Sequence, residues 1–118
     1  MNELYRPTLV KNDEDNFDMV VARKSIEFID KRAQDGKNFF LYVGFEKPHP
    51  PFTTTQKYLD MYNPEDFKLP KTYDDWYTKG KYPWVPNWVH SGVPKNPEKA
   101  KHVMAAYYAC VTEMDDMV

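Results

Sequence analysis

Lys47 and His49 are the residues of this chain best placed to do chemistry. They stand in Glu46-Lys47-Pro48-His49-Pro50-Pro51-Phe52, where prolines on both sides restrain the backbone of the histidine. An imidazole held at fixed geometry beside an ammonium suits a tetrahedral oxyanion. His49 can donate a hydrogen bond to a phosphate or sulfate oxygen, or act as a general acid. The residue types equally allow a loop histidine packed on Phe45 or Phe52, and a Lys47 that is solvated rather than turned to the anion. Glu46 reads as a solvated loop residue.

The other chemically able residues are less well placed. Neither Asp13-Glu14-Asp15 nor Asp115-Asp116 has the spacing of a calcium loop, so capping and solvated faces are the better readings. His90 and His102 have no partner at ligand spacing. Cys110, the single cysteine, excludes an internal disulfide and any multi-cysteine metal site. It lies on an apolar helical stripe, where a free cysteine behaves as a small hydrophobe.

The elements that must position Lys47 and His49 follow from periodicity. Asp15 or Asn16 caps a helix predicted over 16–34, with Asp18 in the first turn, where the macrodipole favours an acid. Met19, Ala22, Ile26, Ile29 and Ala33 draw its apolar stripe, and Gly36 ends it. Phe39 to Phe45 is apolar without alternation, which predicts a strand covered on both faces, as inside a parallel sheet. Ligands of open α/β sheets sit beyond the carboxyl ends of such strands, and here that place is the 46–52 loop. Residues 1–15 read as a loop.

Thr53 and Gln56 form a T-x-x-Q capping box for a short helix ending near Tyr62. The stretch 64–94 has little periodicity but carries Trp76, Tyr77, Tyr82, Trp84 and Trp88, so it is expected to be an ordered, irregular loop. Asn96-Pro97-Glu98 opens a last helix with Val103, Tyr107, Cys110, Met114 and Met117 along one face. That pattern runs to Val118 without a stop signal. One strand cannot satisfy its own backbone, so the reading is a partial α/β domain over 1–118.

Sixteen basic and eighteen acidic residues give a net charge of −2, which offers no global attraction for nucleic acid. No segment approaches the roughly 18 consecutive apolar residues of a membrane span. The first residues lack a signal-peptide pattern, and compartment is left open.

Phe39-Phe40-Leu41-Tyr42-Val43-Gly44-Phe45-Glu46-Lys47-Pro48-His49-Pro50-Pro51-Phe52 resembles the PFFLYVGFxKPHxPF segment of the sulfatase family, particularly the branch containing iduronate-2-sulfatase. Ala106-Tyr107-Tyr108-Ala109-Cys110-Val111-Thr112-Glu113-Met114-Asp115 resembles that family's YYASVSYMD helix, in the matching order. The resemblance implies an alkaline-phosphatase-like α/β fold that hydrolyses sulfate esters of carbohydrates or aryl alcohols, using a formylglycine nucleophile and a calcium ion. It implies that His49 contacts the substrate's sulfate group, and Lys47 matches the same motif.

The family's C/S-x-P-S/A-R nucleophile motif and its metal pairs are absent from these 118 residues. Calcium and formylglycine are therefore expected of a complete protein and not of this chain, which by itself is expected to be inactive. Two further readings stand beside this one. The first is a phosphodiester or phosphonate hydrolase of the same superfamily. The second is a non-catalytic acidic-glycan module built on Trp76, Trp84, Trp88, Lys79 and Lys81.

Overall fold

The computed structural model describes residues 8–73, 84 and 94–118. Helix α1 spans Phe17–Asp35, within a residue of the predicted bounds. Gly36 ends it at φ 64°, a left-handed conformation that glycine adopts without a Cβ penalty, and its N–H returns to Arg32 O at 3.0 Å. Asn16 sits at the N-cap, yet its side chain makes no capping bond. It is used elsewhere. The predicted stripe is buried only at its start. Ala22 is buried and Met19 half-buried, while Ile26, Ile29 and Ala33 lie on the surface among the described residues.

The first correction concerns residues 1–15, expected to be a loop. Strand β1 (Thr8–Leu9) pairs in parallel with β2 (Thr53–Thr54), in the register Thr8 to Thr53 and Leu9 to Thr54. Thr8 N donates to Phe52 O at 2.9 Å and Val10 N to Thr54 O at 3.1 Å. This pairing also displaces the expected capping box. Thr53 is taken up by the ladder, so the cap of α2 (Gln56–Leu59) falls to Thr55, without a side-chain bond.

The second correction concerns Phe39–Phe45, expected as a buried parallel strand. No ladder forms there among the described residues, and Phe40 and Tyr42 are 91% and 84% exposed. Leu41, Val43 and Phe45 are half-buried, so exposure alternates with the two-residue period of a pleated chain. The physical reason is missing cover: a strand buried on both faces needs bonded neighbours and a layer on each side. Here Phe39 meets Phe28 of α1 edge to face at 5.5 Å.

Helix α3 spans Pro97–Asp115, with the Asn96 side chain accepting from Lys99 N at 3.0 Å. Its buried face runs through Ala106, Ala109, Cys110 and Glu113; of the predicted Val103, Tyr107, Cys110, Met114 and Met117 line, Cys110 is fully buried, Val103, Met114 and Met117 are half-buried, and Tyr107 is exposed. Small residues there let α3 approach β2 closely. Ala106 and Cys110 form the core with Phe52, and Leu59 and Val103 pack against it. Of the aromatic loop, Tyr73 Oη donates to Pro94 O at 2.6 Å, and Trp84 is largely exposed. Trp76, Tyr77, Lys79, Lys81, Tyr82, Trp88 and His90 lie outside the described residues.

Ala106 is fully buried against Phe52. Ala106→Leu should lower the unfolding free energy by about 1–3 kcal/mol through overpacking, read as a lower denaturation midpoint. An unchanged midpoint would show that α3 has slack against β2.

Candidate functional site

The site is built where the start of α1, the 46–49 loop and the last turns of α3 meet. Asp18, in the first turn of α1, is buried and accepts two backbone bonds from the loop. Glu46 N donates to Oδ1 at 2.8 Å and Lys47 N to Oδ2 at 3.0 Å. The loop then closes on itself, with His49 N donating to Glu46 O at 2.8 Å. One carboxylate thus pairs two loop amides, of which that of the buried Lys47 would cost about 1–3 kcal/mol if left unpaired.

The Lys47 side chain runs inward. The residue is 8% exposed, and its ammonium donates to Asn16 Oδ1 at 2.9 Å. Asp18 Oδ2 lies 3.4 Å from Nζ and Glu113 Oε2 lies 3.6 Å from it. Asn16 Nδ2 donates in turn to Glu113 Oε1 at 2.8 Å. This explains the missing cap of α1, because the Asn16 amide bridges Lys47 and Glu113 instead. Two carboxylates face one ammonium, so the network presents no net positive charge to an anion. Lys47 is neither the solvated lysine nor the free cation that the sequence left open.

Asp15, Asn16, Phe17, Asp18, Phe45, Lys47 and His49 are among the residues that line a cavity of about 650 Å³. That volume lies within the range of small-molecule sites. His49 is exposed on this wall, with Nδ1 2.6 Å from Pro50 O. A carbonyl only accepts, so Nδ1 carries the proton and Nε2 is left for a ligand. Nε2 donates to an anion only when the ring holds its second proton. The structure therefore brings both predicted residues to one cavity, with the Lys47 side chain buried and the His49 ring exposed.

Sequence reasoning missed Asn16 and Glu113 as site residues and read Asp18 only as a dipole partner. A signal for Glu113 existed: it continues the spacing of Ala106, Ala109 and Cys110, and a carboxylate on a buried small-residue face requires a cationic or donor partner.

The remaining candidates are placed away from this chemistry. His102 Nδ1 lies 2.8 Å from Glu98 O on the exposed surface of α3. Asp116 accepts from Tyr58 Oη at 2.9 Å. Among the described residues, no three His, Cys, Asp or Glu side chains converge to hold a metal ion. The carboxylates of Asp18 and Glu113 face an ammonium where a cation would sit, so this donor set does not fit a resident calcium. Cys110 is buried with Sγ 3.5 Å from Thr53 O. Desolvation, opposed by the nearby Lys47 charge, pushes its thiol up to about 11.

A family model described as Sulfatase matches residues 1–118. An arylsulfatase of Clostridium perfringens (strain 13 / Type A) is 34% identical over 104 residues, covering 83% of this chain and 20% of the relative. The multifunctional alkaline phosphatase superfamily protein PehA of Trinickia caryophylli is 30% identical over 101 residues, covering 72% of this chain and 19% of the relative. The chain spans about a fifth of the length of these curated relatives. No solved structure matches it significantly.

Two outcomes are expected. Asp18→Ala leaves two loop amides and a buried ammonium short of a partner, and should cost about 3–5 kcal/mol in chemical denaturation; a loss under 1 kcal/mol would contradict the clamp. For Cys110, the unfolded thiol begins to release its proton near the ordinary 9.0, whereas the buried one holds it to about 11. Stability should therefore fall as pH rises through that window. The slope should be shallower in Cys110→Ala; equal slopes in the two proteins would refute the burial effect.

Proposed function

Because this chain belongs to the sulfatase family, we propose that its 46–49 loop is the sulfate-contacting wall of a sulfuric ester hydrolase. The observation that carries the reading is His49. Its Nδ1 is tied to the Pro50 carbonyl, its ring stands on the cavity wall, and Nε2 is left to meet a sulfate oxygen. A protonated ring there gives a charge-assisted bond, the strongest kind a single side chain supplies to an oxyanion. Lys47 serves the same anion from behind, by holding the loop that carries His49. The reaction is hydrolysis of a sulfate ester to an alcohol and inorganic sulfate. The substrate class is a sulfated carbohydrate or an aryl sulfate, in line with the likeness of 39–52 to the iduronate-2-sulfatase branch and with the arylsulfatase relative.

In this reading residues 1–118 form a partial sulfatase domain. The nucleophile, formylglycine in the family, and the calcium ion come from sequence outside it, which accords with the fifth of each relative's length that the chain spans. A second reading, hydrolysis of a phosphodiester or phosphonate, is favoured by one observation, the likeness to a relative described as multifunctional within the alkaline phosphatase superfamily. Sulfate and phosphate offer the same tetrahedral set of oxygens to His49.

In the full-length protein, His49→Ala should raise the KM for a generic aryl sulfate by about 10–100-fold, the loss of one hydrogen bond to a charged group. Steady-state kinetics with the aryl sulfate and with a matching aryl phosphodiester checks this and ranks the two readings. Unchanged kinetics on both substrates would remove His49 from the site.

A further inference from the structure

We propose that Glu113 is a positioning residue for the anion-contacting loop, acting through the Asn16 amide and the Lys47 ammonium. The inference rests on the reading of 46–49 as that loop. Glu113 belongs to α3, 66 residues from Lys47 and 97 from Asn16 in sequence, and its side chain is fully buried. Oε1 receives the Asn16 bond at 2.8 Å, while Oε2 has no hydrogen-bond donor among the described residues and faces Lys47 Nζ at 3.6 Å.

A carboxylate is an expensive way to fill that space, since apolar residues of similar volume often serve stability equally well. What it adds is direction. The ammonium donates to Asn16 Oδ1 at 2.9 Å and has one carboxylate oxygen each of Asp18 and Glu113 at 3.4 and 3.6 Å, and these positions fix where the Lys47 side chain ends. The Lys47 backbone N–H is simultaneously seated on Asp18. The main chain of Lys47 is thus held by α1, its ammonium lies between the start of α1 and Glu113 of α3, and His49 lies two residues on. Removing the Glu113 charge leaves the Asn16 oxygen and the Asp18 carboxylate as the groups facing the ammonium. The Asp18 carboxylate is then shared unequally between the ammonium and the two loop amides.

The test uses Glu113→Gln, which preserves shape and an acceptor for Asn16 but removes the charge. Hydrogen exchange at the Glu46 and Lys47 amides reads the seat of the loop without any substrate. Those two should exchange about tenfold faster in the variant, while Val10 on the β-ladder and Gly36 at the end of α1 keep their wild-type rates. In kinetics with an aryl sulfate on the full-length protein, KM should rise about tenfold with kcat within about threefold.

A uniform rise that includes Val10 and Gly36 would mark Glu113 as a general stabiliser and overturn the proposal. So would unchanged rates at Glu46 and Lys47. If exchange changes locally but wild-type protein hydrolyses no sulfate ester, the positioning role stands and the reading of the anion falls. Asn16→Ala provides a second variant should Glu113→Gln fail to fold. It removes the bridging amide, leaves both charges, and deletes no capping bond of α1; the same local exchange pattern is expected, and its absence counts against the tie.

Discussion

The Lys47 ammonium, enclosed by Asn16, Asp18 and Glu113, is the interaction on which the arrangement around the site depends. Stripping water from two carboxylates and an ammonium is costly, and their attraction offsets that cost only if the groups are well placed. Each placement is supplied by a different part of the chain. The start of α1 contributes Asn16 and Asp18, the loop contributes Lys47, and the far end of α3 contributes Glu113. Loss of any one leaves a buried charge or amide unsatisfied. The network therefore ties three sequence-distant segments into one wall.

That wall separates two tasks which a motif written as Lys-Pro-His runs together. Lys47 faces inward and holds the backbone in place. His49 faces the cavity with one ring nitrogen tied to the Pro50 carbonyl. With two carboxylates around one ammonium, this set offers an anion no net positive charge. Cys110, one turn from Glu113 and in the same core, takes no part. Burial keeps its thiol protonated, which suits a packing residue and would disable a nucleophile.

The surface that this chain leaves open is informative in the same physical terms. The run 39–45 alternates half-buried and exposed residues, and its aromatic side chains at 40 and 42 are largely in water. An apolar run without alternation predicts a strand covered on two sides. Within the described residues it has cover on one. The sequence property is real, because β-branched and aromatic residues suit a buried strand, but cover is supplied by neighbours and not by the strand itself.

The sequence by itself determined the two long helices, since capping residues, glycine termination and 3.6-residue spacing are local and act over a few neighbours. It also placed Lys47 and His49 together in a proline-braced loop, because that restraint is local too. Only the tertiary structure decided what the two side chains do. Asn16 looked like a cap and became a bridge; Asp18 looked like a dipole partner and became the acceptor for two loop amides. Glu113 carried no mark beyond its position on a small-residue stripe. The short β1–β2 pair was hidden for the same reason, since two residues give no periodicity and their pairing joins positions 45 apart. Periodicity reports what a segment does with itself. Where a charge finds its partner is settled by chain distances that no local pattern records.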